Sequence, residues 1–257
     1  SLNSLQNLND FDAVINLAGE AIIDKRWSIK QKEIICQSRW QITEKLAELF
    51  KCSQQPPKVF LSGSAIGIYQ DQGANIITEN SPVQEVNFPT MLCLGWESIA
   101  KQAWPYSRVV LLRTGIVLSP YGGALAKMLP PFKYWLGGRI GDGQQYMPWI
   151  HYVDYINAID ELIHNDTISG PINLVAPDAV KNTVFTKTLA NTLQRKAIIP
   201  VPKQLLRLLL GESSCLLLDS LNVSPEVLLN NQFNFSYPSL KQALTDLVKK
   251  PANDTSL

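Results

Sequence analysis

Residues 59–69 read VFLSGSAIGIY, a short apolar run that breaks into Gly63, Ser64, Ala65 and Gly67. The run predicts a buried strand, and the small residues mark its end. In open α/β sheets the carboxyl ends of the strands line the crevice where ligands bind. Ser64 is therefore expected to hang over that crevice with its hydroxyl free. The plainer alternative is that small residues here let a loop pack against a helix.

Working outward, residues 12–18 (DAVINLA) form another short apolar run, ending at Gly19, as a fully buried parallel strand does. Ser28 with Gln31 three residues on predicts a capping box opening a helix to about Phe50, with Ile34, Ile35, Ile42, Leu46 and Leu49 at helical spacing. Pro56 and Pro57 then lead into the 59–62 strand, completing strand, helix, strand, the unit of a parallel sheet. Residues 70–89, rich in polar residues, glycine and proline, predict an irregular excursion over the carboxyl edge. A helix over 91–104 and a strand over 108–112, stopping at Thr114 and Gly115, follow.

A helix from 121 should end or kink at Pro130-Pro131. Residues 137–143 (GGRIGDG) have neither a strand before them nor a helix after them, so they read as a turn rather than a phosphate cradle. A strand over 149–152, a helix over 155–164 capped by Asp154, and a strand over 172–175 complete the first part. Beyond Pro177 come helical segments at 183–194, 202–210, 226–229 and 239–248, and the apolar stretch 205–221 reads as buried helix. The expected organisation is an α/β, Rossmann-like parallel-sheet domain over 1–176 and a small, mainly helical lobe over 177–257, whose last seven residues form a loose tail.

Composition narrows the function. A chain of 257 residues buries roughly 70–75% of its unfolded surface without a staple. Lys plus Arg number 23 against 22 Asp plus Glu, which argues against nucleic acid or acidic lipid as partner. The four cysteines show no CxxC pairing and predict free thiols in a reducing compartment; two histidines make a histidine-rich metal site improbable. With no long uncharged apolar run and no signal-like N-terminus, the expectation is a cytoplasmic protein without a membrane partner.

DAVINLAG, SGSAIGIY, LLRTGIVLSPYGGAL, WIHYVD and GPINLVAP, in this order, resemble the core segments of the extended short-chain dehydrogenase/reductases, the NAD-dependent epimerase/dehydratase group. GEAIIDKRWSIKQKEIICQSRW, PVPKQLLRLLLGE and SPEVLLNNQFNFSYPSLKQAL are similar to an uncharacterised epimerase-like subgroup with a C-terminal domain of unknown function, sometimes labelled cell-division-inhibitor-like. The resemblance spans about residues 12–249. It implies a Rossmann-type sheet for NADP (or NAD), with Asn16, Leu17, Ala18 and Gly19 along the cofactor ribose, and Ser62 and Gly63 near the nicotinamide half. Ser64 takes the position of the catalytic serine, and Arg113, Thr114 and Gly115 border the nicotinamide pocket. A homodimer through the 28–50 and 91–104 helices is also implied.

Two departures stand out. The family's Tyr and Lys positions fall on Met91 and Gly95, neither of which can move a proton; Tyr69, Glu97, Lys101 and Tyr146 are the candidate substitutes. None of the fourteen glycines forms GxGxxG or GxxGxxG, and only eleven residues precede the DAVINLAG strand. The expectation is therefore a family member lacking its first strands and phosphate loop, binding dinucleotide weakly or not at all as this chain. His151 reads as structural, and Arg139 and Gln144 as solvated loop residues or recognition groups for phosphate or sugar. The tryptophans Trp27 and Trp40 are expected to pack. Two functions stay open: an epimerase-like NAD(P)-dependent oxidoreductase acting on a small hydroxyl- or carbonyl-bearing, nucleotide-sugar-like substrate, or a non-catalytic nucleotide-sensing or partner-binding module on the same fold.

Overall fold

The computed structural model describes residues 2–249. After a single 3-10 turn come β1 (Ala13–Asn16), α1 (Ile29–Cys52), β2 (Val59–Ala65), β3 (Ile76–Ile77), α2 (Phe88–Ala100), β4 (Arg108–Thr114), β5 (Ile116–Leu118) and α3 (Gly123–Lys133). They are followed by β6 (Tyr146–Met147), β7 (Trp149–His151), α4 (Tyr152–His164) and β8 (Gly170–Leu174). Four strands make one parallel sheet in the order β1-β2-β4-β8. The alternation of β2 and β4 side chains divides the core. Phe60, Val109 and Leu111 pack under Leu46, Leu49 and Phe50 of α1, and Val59, Leu61, Val110 and Leu112 pack on Ala158 and Leu162 of α4. Helices on both faces leave the carboxyl ends of the strands as the place where polar side chains gather.

The lobe adds β9 (Val180–Lys181), α5 (Asn182–Thr192), α6 (Lys203–Leu210), α7 (Cys215–Leu218), β10 (Asn222–Val223), α8 (Glu226–Asn230) and α9 (Leu240–Lys249). Its core joins Phe185 and Leu189 of α5 to Leu240, Leu244 and Leu247 of α9, and continues into Leu125 and Phe132 of α3 and Trp149 of β7. β10 pairs with β3, which ties the lobe to the excursion loop, and Ser220 Oγ donates to the Gly73 carbonyl at 2.5 Å.

Several local expectations need correcting. β2 runs on through the small residues to Ala65, because β4 offers it partners as far as Thr114. α3 includes Pro130 and Pro131, which bring no amide donors to that turn, and it stops two residues later at Lys133. α4 begins at Tyr152, with His151 Nδ1 accepting from the Val153 amide, so Asp154 is not the cap. Its buried carboxylate accepts instead from the Ser236 and Tyr237 amides, at 2.8 and 2.9 Å, and so pins the lobe's return segment. The residues of the expected loose tail lie outside the described residues. Among those described, all four cysteines are free.

Asp219 caps the C-terminus of α7, half-buried, near Asp71 of the excursion loop. Burial, and then the like charge of Asp71, push its pKa up to about 6. A carboxylate whose folded pKa is raised favours the folded state only while protonated. Stability is therefore expected to fall as pH rises from roughly 4 to 6 and to stay lower above that window. Asp219→Asn should stabilise the chain at pH 7 by about 1 kcal/mol, a figure discounted for partial exposure, and change little below roughly pH 4. Urea unfolding at the two pH values checks this, and a pH-independent effect would contradict it.

Candidate active site

The parallel register sets Ser64, Arg113 and Asn173 in one row across β2, β4 and β8. All three side chains are buried. Ser64 Oγ donates to Glu97 Oε1 of α2 at 2.8 Å. Both Glu97 oxygens also accept from Arg113, Oε1 from Nε at 2.8 Å and Oε2 from Nη2 at 3.0 Å. Arg113 Nη1 donates to Tyr69 Oη at 2.8 Å, and Tyr69 Oη donates in turn to Asn173 Oδ1 at 2.7 Å. Glu79 closes the row from the excursion loop, with Oε1 accepting from the Asn173 amide at 2.9 Å. Its Oε2 has no hydrogen-bond partner among the described residues.

Each charge state has a physical cause. Burial opposes the Arg113 charge, but hydrogen bonding and attraction from Glu97 outweigh it and hold the guanidinium protonated. Burial pushes the Tyr69 phenol up to about 12 despite Arg113 beside it, so it stays neutral. Burial likewise raises the pKa of Glu79, opposed by the backbone amides it accepts from. The fork geometry of Glu97 and Arg113 makes Glu97 an acceptor on both oxygens, and the Ser64 proton is committed to it. The expectation of a free Ser64 hydroxyl is corrected here. Only its acceptor lone pairs are uncommitted.

The four candidate substitutes for the missing tyrosine and lysine separate cleanly. Glu97 and Tyr69 belong to this network. Lys101 instead lies over the Trp104 ring at 5.6 Å, and Tyr146 sits on β6 beneath Lys181 at 5.8 Å. At Gly95, an added Cβ would lie 2.7 Å from the Trp40 indole, which donates its Nε1 to the Leu92 carbonyl. Trp40 thus fills the space a side chain at position 95 would need. Trp27 is buried edge-on against Phe88 at 4.8 Å, so both tryptophans pack as expected.

Along the β1 end, Asn16 is buried, with Nδ2 donating to Thr43 Oγ1 at 3.0 Å and Oδ1 accepting from the Ala18 amide at 3.2 Å. Its side chain therefore shapes the turn, while Leu17 and Gly19 are exposed at the crevice and Ala18 is half-buried. Ser62 is fully buried, and Gly63 is abutted by Trp96, whose indole would lie 2.7 Å from an added Cβ. Thr114 is half-buried, and Gly115 is walled by Val175 and the Pro148 carbonyl. His151 is buried and stacked on Tyr237 at 3.8 Å, with Nε2 3.3 Å from Asp246. Arg139 and Gln144 are exposed, and Gln144 accepts from Lys181. The sequence reading assigns no site role to Asn173, Glu79 or Arg39. The one signal for Asn173 is a polar residue inside an apolar strand; Arg39 reaches over Gly19 and donates to the Glu20 carbonyl at 3.0 Å.

Residues 2–175 match the NAD dependent epimerase/dehydratase family, and residues 201–247 match a domain of unknown function, DUF1731. The chain belongs to the NAD-dependent epimerase/dehydratase family. An epimerase family protein of Staphylococcus aureus, MW0731, is 40% identical to this epimerase-family chain over 242 residues, covering 94% of the chain and 80% of the relative. One from Staphylococcus haemolyticus, SH2119, is 38% identical over 245 residues, covering 95% and 82%. The crystal structure of human epimerase family protein SDR39U1 (isoform 2) with NADPH superposes with a TM-score of 0.92 at 32% identity, covering 95% of this chain and 84% of the human one. UDP-glucuronic acid 4-epimerase of Bacillus cereus, solved with NAD, shares the fold with a TM-score of 0.75 at 16% identity, covering 95% and 75%.

Removing one member of the buried ion pair strands the other. Arg113→Met is expected to cost about 3–5 kcal/mol in urea unfolding. The double variant Arg113→Met with Glu97→Leu should cost less than the two single changes together, because no unpaired charge is left buried. Additive losses would show that the two side chains act independently.

Proposed function

We propose that this chain forms the nicotinamide-facing floor and substrate lobe of an epimerase-like, NADP(H)-dependent oxidoreductase, acting on a small hydroxyl- or carbonyl-bearing substrate of the nucleotide-sugar type. The observation that carries this reading is Ser64 at the carboxyl end of β2, hydrogen-bonded to an α2 carboxylate that Arg113 neutralises. The NADPH-bound human relative supports NADP(H) as the cofactor.

The residues fit one half of a dinucleotide. Leu17, Ala18 and Gly19 would lie along the ribose, while Asn16 fixes their backbone from behind. Ser62, Gly63, Thr114 and Gly115 would border the nicotinamide, with Arg113 beneath them. The pyrophosphate half lacks a matching group. Among the described residues, no glycine-rich turn leads from a strand of the main sheet into a helix N-terminus, which is what a phosphate cradle requires. The cofactor, when bound, supplies a hydride donor or acceptor. The chain's own contribution is orientation. Ser64 donates its hydrogen bond to Glu97 and can accept a hydrogen bond from a substrate hydroxyl, so it holds the alcohol form of the reacting oxygen; a carbonyl would have to displace Glu97.

A second reading, dinucleotide binding without turnover, is favoured by Met91, Gly95 and the Trp40 indole standing where the family's tyrosine and lysine act. Glu97, Arg113 and Tyr69 are buried and mutually bonded, so none is free to replace them.

Titration of the 257-residue chain with NADPH, followed by tryptophan fluorescence, is expected to give binding weaker than micromolar. A micromolar dissociation constant would contradict the missing cradle. A panel of nucleotide-sugar alcohols and ketones, at saturating NADP⁺ or NADPH, then separates the two readings through nicotinamide absorbance. Turnover lost in Ser64→Ala supports the oxidoreductase, and cofactor binding without turnover across the panel supports the sensor.

A further inference from the structure

The helix that the sequence presents as buried is the least buried of the lobe. α6 (KQLLRLLL) contains no buried residue, and Leu205, Leu208 and Leu209, at i, i+3 and i+4, share its outer face. Leu208 is 72% and Leu209 62% exposed. Beside it, residues 137–141 and 199–201 run together. The Ile199 amide donates to the Gly137 carbonyl, the Val201 amide to the Arg139 carbonyl at 2.9 Å, and the Gly141 amide to the Val201 carbonyl at 2.8 Å. Their flanking residues add to the apolar surface, with Tyr134 75% and Ile198 71% exposed and Trp135, Leu136 and Ile199 also exposed.

The unpaired charges around this surface are of one sign. Lys133, Arg139, Lys196 and Arg207 are exposed and make no ion pair among the described residues. Arg195 lies over the Trp135 ring at 5.2 Å, and Lys203 pairs with Asp142, the one carboxylate in segments 133–142 and 195–210. A formal net charge of only +1 for the whole chain hides this local concentration.

We propose that this face docks on the surface of an anionic lipid bilayer, with the leucine, isoleucine and aromatic side chains entering the headgroup boundary and the cations meeting acidic headgroups. Leucine, tryptophan and tyrosine framed by lysine and arginine is the composition of an interfacial helix. Among the described residues no helix is long and apolar enough to cross a membrane, so docking is peripheral. A second copy is a poorer occupant. A two-fold pairing through the same face would bring the four unpaired cations of one copy toward those of the other, and protein interfaces are depleted in lysine. The surface departs from the absence of a membrane partner that the overall charge balance suggests, because that balance averages over the whole chain.

Co-sedimentation of the full chain with vesicles of phosphatidylcholine plus phosphatidylserine, and of phosphatidylcholine alone, tests this. The acidic vesicles should bind more strongly, and binding should weaken with salt. Lys196→Gln and Arg207→Gln should each reduce it about fivefold, and Leu208→Glu with Leu209→Glu should abolish it. The leucines are exposed, so the double variant should keep the parent's melting temperature; if it does not, Leu208→Ser with Leu209→Ser serves instead. Absence of binding, equal binding to both vesicle types, or a chain dimer dissolved by the leucine variants would each overturn the proposal.

Discussion

One buried ion pair organises the functional end of this protein. Arg113 stands in the centre of a four-stranded parallel sheet, at the register position that faces Ser64 on one side and Asn173 on the other. A cation there is tolerable only because Glu97 reaches in from α2 with both oxygens. An apolar pair of similar volume would avoid the desolvation cost, so stability alone does not explain the arrangement. What it provides is position. It fixes where α2 lies against β4, commits the Ser64 proton, and positions the Tyr69 hydroxyl between Arg113 and Asn173.

Packing next to the pair follows from two tryptophans and two glycines. Trp96 lies against Gly63, and its Nε1 donates to Thr43, which also receives the Asn16 amide. Trp40 lies against Gly95. A glycine at each place is what allows an indole from one helix to lie flush on the neighbouring backbone. The same contacts remove the room for a lysine on α2. The packing of α1 on α2 therefore keeps position 95 to a residue without a side chain.

Much of this was legible in the sequence. Apolar runs ending in small residues located the strands and their carboxyl edge, and Glu97 stood among the candidate groups on the helix that the family resemblance singles out. Asn173 and Glu79 were not legible, since their pairing depends on register across β4 and β8 and on a loop whose path no periodicity encodes. The free Ser64 hydroxyl was a misreading of the same kind: a strand end tells where a side chain stands, but not which helix supplies its partner. The leucines of α6 failed differently. High apolar content reads as burial, whereas in α6 the periodicity places leucines on the face turned away from the lobe core.

The crevice itself is bounded by contacts of very different strength. Below Ser64, hydrogen bonds between buried polar groups make the floor rigid, because leaving any one of them unpaired is costly. The segment between β1 and α1 meets α3 through a surface ion pair, Lys127 with Asp24, and the lobe through Arg26 against Gly211, while Lys32 of α1 pairs with Glu212. Exposed ion pairs contribute little to stability and are screened by salt. The segment is nevertheless anchored at its end, where Trp27 is buried against Phe88 and its Nε1 donates to the Ile22 carbonyl at 2.8 Å. Between Gly19 and Ile22 the segment is fastened to α1, the Glu20 amide donating to Ser38 Oγ at 2.9 Å and Arg39 Nη2 donating to the Glu20 carbonyl at 3.0 Å. The buried network below, in which Glu97 takes the Ser64 proton, keeps the hydroxyl's acceptor lone pairs in a fixed place for a ligand.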